Sequence, residues 1–109
     1  MLYLTLLLNL TGAIAVDGDT LKLHGQLYRL WGIDAPERGE PGGSAATRAL
    51  RAIIARQRLT CDVLDTDRYD RPVVRCSLPD GSDPACILVA RDHAEDWPKY
   101  SKGHYAACE

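Results

Sequence analysis

Between Arg29 and Glu37 an alternating strand, Arg-Leu-Trp-Gly-Ile, runs without a break into Asp34-Ala-Pro-Glu37. Proline at 36 cannot donate to a sheet ladder and biases Ala35 toward extended geometry, so strand pairing stops where two carboxylates begin. Charges of both signs are thereby rooted in a rigid element. Two further polar turns flank this one: Asp17-Gly-Asp-Thr20 upstream, and Asp67-Arg-Tyr-Asp-Arg71 with two guanidinium groups downstream. All three turns can converge on one site.

Around that stretch the chain reads as strands punctuated by turns. Thr11 to Val16 is the first strand of the domain. Leu21-Lys-Leu-His24 alternates, Gly25-Gln26 reads as a tight turn, and Leu27 to Trp31 alternates again, so residues 11–33 form a three-stranded meander. A loop rich in glycine and proline, Arg38 to Gly43, leads to a helix beginning at Ser44, with Ala46, Ala49, Leu50, Ile53 and Ile54 at helical spacing. The opposite face carries Arg48, Arg51 and Arg56, and the ordinary reading of such a face is a solvated surface. Leu59 to Leu64 and Pro72 to Leu78 are two more strands. Asp83-Pro84 opens a short second helix to about Arg91, with the cap and first-position proline in the favoured order. Trp97 to Tyr105 is a turn-rich aromatic segment. Five strands with a helix between the third and fourth predict a mainly β fold: a five-stranded Greek-key barrel of the oligonucleotide-binding (OB) type, with an inserted helix and a second short helix.

DGDT at 17–20, RLWGIDAPE at 29–37 and DRYDR at 67–71 resemble, in order and spacing, the signature segments of the staphylococcal nuclease-like (thermonuclease) family. The resemblance covers about Thr11 to the C-terminus, and the nine-residue segment is its specific part. It implies the same barrel. Family members carry one further helix after the aromatic tail, so a C-terminal helix is expected to be absent from this chain and its partner surface to be open or covered otherwise.

The resemblance also implies a chemistry that the residue types support. Phosphodiester cleavage needs charge neutralised at phosphorus, a water activated and a leaving oxygen released. Asp19 and Asp34 offer hard anionic oxygen suited to Ca²⁺. By resemblance they ligate Ca²⁺ together with the carbonyl of Ala35, a position that is threonine in the founding member. Glu37 is placed to orient or deprotonate the attacking water. Arg29 and Arg71 can each hold phosphate oxygens bidentately, and the resemblance assigns them to the scissile phosphate. Arg68 and Tyr69 match positions that contact a terminal phosphate, and Tyr100 is an aromatic neighbour of the base. Asp70 replaces the usual glycine of DRYGR, at a position where a left-handed conformation would be tolerated by aspartate.

Singly, each of these residues has an ordinary explanation as turn chemistry or surface charge. Jointly, Asp19, Arg29, Asp34, Glu37 and Arg71 predict a Ca²⁺-dependent nuclease, a metal-dependent phosphodiesterase acting on DNA and RNA with little sequence preference. The competing reading is a catalytically weak or inactive OB-fold module that binds nucleic acid or protein.

Composition bounds the setting. The 109 residues suit one domain, and 13 basic against 15 acidic side chains give a net charge of −2, so no global positive field recruits a polyanion. A monomer is expected. Residues 1–16 carry no charge, too short a run for the ~20 residues that span a bilayer, and residues 1–10 read as a signal-segment remnant or N-terminal extension to a domain at 11–109. No membrane association is expected. Four cysteines at 61, 76, 86 and 108 lack metal-ligand spacing. Of their three possible connectivities, Cys61 with Cys76 across a hairpin and Cys86 with Cys108 is preferred, against four free thiols in a reducing compartment. Disulfides in turn predict a secreted or periplasmic protein.

Overall fold

The computed structural model describes residues 7–109. Its elements are β1 (Leu7–Asn9), β2 (Ile14–Asp17), β3 (Thr20–Leu23), β4 (Gln26–Leu30), β5 (Ile33–Asp34), α1 (Gly43–Ile54), β6 (Thr60–Thr66), β7 (Pro72–Ser77), α2 (Pro84–Ala90), β8 (Glu95–Asp96), α3 (Pro98–Ser101) and a closing 3₁₀ turn, Ala106–Cys108. All five expected strands are present, but the one expected to run to Ile33 stops at Leu30, where Trp31 and Gly32 turn the chain and Ile33–Asp34 becomes a separate strand. Of the apolar stretch 1–10 read as a signal remnant or extension, residues 1–6 lie outside the described residues, while Leu7–Asn9 pairs antiparallel with β6.

Six strands make one sheet in the order β1-β6-β7-β4-β3-β2, and β5 pairs separately with β8. The two edge strands, β1 and β2, are consecutive in the chain and joined only by Leu10 to Ala13. A flat six-stranded sheet would hold its edges ~24 Å apart. The five Cα steps from Asn9 to Ile14 reach at most ~18 Å. The sheet therefore curls into a half-barrel that brings its edges within that reach, consistent with the barrel-type fold the strand pattern predicted. Leu10 N–H donates to Leu59 O at 2.8 Å, extending the β1–β6 pairing by one step.

Burial follows from the alternation. Ala15, Leu21, Leu30, Val74, Cys61 and Leu59 face inward, and α1 covers them with Ala46, Leu50, Ile53 and Ile54. That helix starts at Gly43, one residue before the expected Ser44. Gly42 turns the chain inward at φ 84°, and no side chain caps the first turn. The second helix has the expected cap: Asp83 accepts from Ala85 N–H at 2.8 Å, with Pro84 at the first position. Both preferred disulfides are present. Cys61 lies directly opposite Cys76 in the β6–β7 register, and Cys86 on α2 holds Cys108 of the closing turn. A second tie secures the same tail, since the buried Tyr105 hydroxyl donates to Asp83 at 2.6 Å. Burial, with Asp83 beside it, pushes the Tyr105 phenol well above its usual range, so it stays a donor.

Two pairings position the polar turns. The β3–β4 hairpin sets Thr20 opposite Arg29, which puts Asp19 beside that arginine. The parallel pairing of β4 with β7 sets Arg29 opposite Val73, two residues after Arg71. The three turns thus meet at one end of the sheet.

Candidate active site

A cleft of about 690 Å³ opens at that end. Asp19, Arg29, Asp34, Ala35, Glu37, Arg68, Tyr69, Arg71 and Tyr100, all the residues singled out from the sequence, line it. Their arrangement differs from wall to wall.

On the inner wall, Asp19 is buried and multiply held. Its Oδ2 accepts from Ala35 N–H at 2.9 Å and lies 3.3 Å from Arg29 Nη2, while Oδ1 accepts from the Thr20 hydroxyl. Burial raises the Asp19 pKa above the ordinary carboxylate value, and the nearby Arg29 charge opposes the rise. Asp34 is exposed, 3.9 Å from the same Arg29 nitrogen. Two carboxylates thus share one guanidinium. Arg29 is further pinned by its own main chain, with Nη1 donating to Leu30 O at 2.8 Å and Nη2 to Ile33 O at 3.0 Å. The Trp97 ring lies 5.6 Å from its guanidinium carbon. Trp97 in turn reaches the site because its N–H donates to Gly32 O at 2.8 Å.

Glu37 sits on a loop braced by residues that sequence reasoning missed. Glu40 accepts from Glu37 N–H at 2.8 Å, and Asp17 accepts from Arg38 N–H at 3.1 Å across 21 residues. The loop then folds onto the start of α1. A Cβ on Gly43 would lie 1.8 Å from the Glu37 carbonyl oxygen, so only glycine permits this approach. Gly18 plays a similar part, with Ala46 and Ala35 pressed against the space a side chain would need.

The outer wall is the 67–71 turn. Asp67 accepts from the N–H groups of Tyr69 and Arg71 at 2.9 Å each, and from Arg71 Nε at 2.7 Å. Partial burial works against ionisation here, but the hydrogen bonds from Arg71 and Tyr69 outweigh it and hold the Asp67 carboxyl below the ordinary range. Arg71 makes its ion pair with Asp67 through Nε; its terminal nitrogens make no hydrogen bond or ion pair among the described residues. Asp70 has φ 61°, the left-handed conformation expected of the glycine it replaces. Arg68 and Arg71 both lie over the exposed Tyr69 ring, and Tyr100 packs edge-on against Trp97.

Charge is unbalanced in the cleft. Six carboxylates line it, those of Asp17, Asp19, Asp34, Glu37, Asp65 and Asp67, against the guanidinium groups of Arg29, Arg68 and Arg71. An anionic substrate entering such a cleft requires added positive charge, and hard oxygen donors suit a divalent cation. Among the described residues no three His, Cys, Asp or Glu side chains gather to hold a metal. A cation here would combine two carboxylates with main-chain oxygen and water, a donor set that Ca²⁺ accepts.

Comparison with known proteins identifies relatives of this chain. The sequence profile of a family described as "Staphylococcal nuclease homologue" matches residues 28–107. The chain is 33% identical over 108 residues to the "Succinoglycan biosynthesis protein ExoI" of Rhizobium meliloti (strain 1021), covering 89% of this chain and 56% of that protein. It is 28% identical over 90 residues to an "Uncharacterized endonuclease" of Escherichia coli O157:H7, covering 79% and 59% respectively. "Protein ParB" of Escherichia coli is 38% identical over 60 residues, 51% of this chain and 34% of that one. The chain thus spans little more than half the length of the longer matches.

Proposed function

This chain belongs to the family of staphylococcal nuclease homologues, and on that premise we propose that it is a Ca²⁺-dependent nuclease that hydrolyses phosphodiester bonds of DNA and RNA with little sequence preference. What supports the reading is the convergence of Asp19, Arg29, Asp34, Glu37 and Arg71 on one cleft from three turns up to 52 residues apart. Asp19, Asp34 and the Ala35 carbonyl would hold the Ca²⁺, which supplies positive charge beside the phosphate oxygens. Glu37 orients the attacking water and takes its proton as the new bond to phosphorus forms. The bond to the 5′ oxygen breaks opposite, and that oxygen leaves to be protonated by solvent. Arg29 and Arg71 stabilise the charge that gathers on the non-bridging oxygens. Tyr69, Arg68 and Tyr100 hold the flanking phosphate and base. Two disulfides favour placement outside the reducing cytoplasm, in the periplasm or medium.

Hydrolysis of single-stranded DNA with Ca²⁺, against excess chelator, tests the cation. Glu37→Gln tests the base: turnover should fall roughly 10²- to 10⁴-fold while nucleotide binding is kept. Unchanged turnover would remove Glu37 from the mechanism, and chelator-resistant hydrolysis would remove the Ca²⁺.

A further inference from the structure

The charge missing from the cleft is gathered elsewhere. From Gly43 to Arg58 the chain has four arginines, at 48, 51, 56 and 58, and no acidic residue. That segment carries +4, leaving nine basic against fifteen acidic side chains, −6, for the rest. Among the described residues no ion pair involves any of the four. All four are exposed. The outward stripe of α1 between and beyond Arg48 and Arg51 is alanine, Ala52 and Ala55, so nothing bulky stands between a polymer and these charges. Arg56 follows at φ 58°, a left-handed helix-end position where glycine is the usual residue.

None of the four lines the cleft, and Arg51 marks where this surface comes near it. Arg51 Nε donates to Ala15 O at 3.0 Å on β2. Two residues farther along the strand, about 7 Å of extended chain, Asp17 lines the cleft. A second hollow of about 350 Å³ lies between the turn after β1 and the end of α1, bordered by Arg51 and Arg56.

We propose that the arginine face of α1 and the turn after it is a nucleic-acid docking surface that holds phosphates of the strand flanking the scissile bond. The inference rests on the nuclease reading for its substrate, but not on the chemistry of the cleft. A cleft with a surplus of three carboxylates repels a polyanion at long range. A separate positive face supplies the attraction and leaves the cation and two arginines to act on one phosphate.

The test measures binding and cleavage separately. A labelled single-stranded DNA 30-mer is titrated by fluorescence anisotropy in chelator, where no cleavage is needed, over a range of salt. The pairs Arg48→Gln/Arg51→Gln and Arg56→Gln/Arg58→Gln and the fourfold variant are compared with the parent; the second pair removes no side-chain hydrogen bond among the described residues, so it reads the surface even where Arg51→Gln disturbs β2. The fourfold variant should bind about tenfold more weakly at physiological salt, with its salt slope smaller by roughly 0.7 for each arginine removed. Hydrolysis of a substrate with a single phosphodiester should be unchanged, while KM for the 30-mer rises. Equal binding and equal slope in parent and variants overturn the proposal. So does selective loss of binding to polygalacturonate, an acidic polysaccharide, with DNA binding kept. Failure of the parent to cleave anything sinks the nuclease reading alone, because the anisotropy series still decides the docking surface.

Discussion

The two walls of the cleft are built by different means. On the inner wall, Asp19 reaches Ala35 across 16 residues and Asp17 reaches Arg38 across 21, so these two carboxylates are also ties between distant parts of the barrel. The outer wall closes on itself, because every partner of Asp67 lies within four residues of it. Residues of the inner wall therefore serve chemistry and fold together, whereas the 67–71 turn can be altered with the barrel intact.

The largest expected effects test this contrast directly. Arg29→Lys and Arg71→Lys should each lower turnover about a hundredfold, since a point charge does not reproduce a planar fork. Only Arg29→Lys should also lower the melting temperature, by roughly 4–8 °C for each kcal/mol lost, as it strands Asp19 and two main-chain carbonyls. Equal melting shifts for the two variants would break the comparison.

Gly43→Ala comes next. A methyl group there must push the Glu37 carbonyl away, and a displacement near 1 Å at a catalytic group costs up to about 10²-fold in turnover. Binding of a nucleoside bisphosphate should change little, which separates a displaced base from a collapsed cleft.

A smaller effect is expected for Asp67→Asn. The folded-state pKa of Asp67 lies below its ordinary 3.8, so its contribution, about 1 kcal/mol for a partly exposed pair, is complete above pH 4 and fades as pH falls through the lower folded value. Melting curves from pH 2 to 7 should show parent and variant separated near neutrality and converging in acid. A constant gap would mean that the turn is held by shape alone.

Asp70→Gly should be smallest, a gain of a few tenths of a kcal/mol from relief of the left-handed backbone. Its turnover should match the parent, because Arg71 pairs with Asp67 and not with Asp70. A faster variant would show the Asp70 carboxylate weakening the arginine's hold on phosphate.

What the sequence made legible follows the same division. Strands with clear alternation, the α2 cap and the Cys61–Cys76 pairing are local patterns, and each was visible in residue order. The two-residue β5 and β8 are too short to carry a period, so their pairing was not. Asp17, Glu40, Gly18 and Gly43 brace the inner wall through contacts that exist only after the barrel closes, and each reads in isolation as an ordinary turn or loop residue. Trp97 belongs to a segment whose aromatic content was plain; its place beside Arg29 depends on a hydrogen bond to Gly32 that no local signal announces. In the outer turn the left-handed Asp70 was readable from its place in the motif, while the role of Asp67 as acceptor from Tyr69 and Arg71 was not read.

The edge position of β1 has a consequence for the redox life of the protein. Leu8 of β1 stands opposite Cys61, which is 1% exposed, and the disulfide to Cys76 lies behind that pairing. Among the described residues β1 has three residues and one neighbour, so like β2 at the other edge it can lift away while the strand pairs between β6 and β3 survive. Opening β1 should give a thiol reagent its way to the buried Cys61, whereas Cys86 and Cys108 are already half-exposed in the closed fold. The two bridges should therefore yield to reductant on different clocks, the tail first and the barrel at the rate β1 parts from β6.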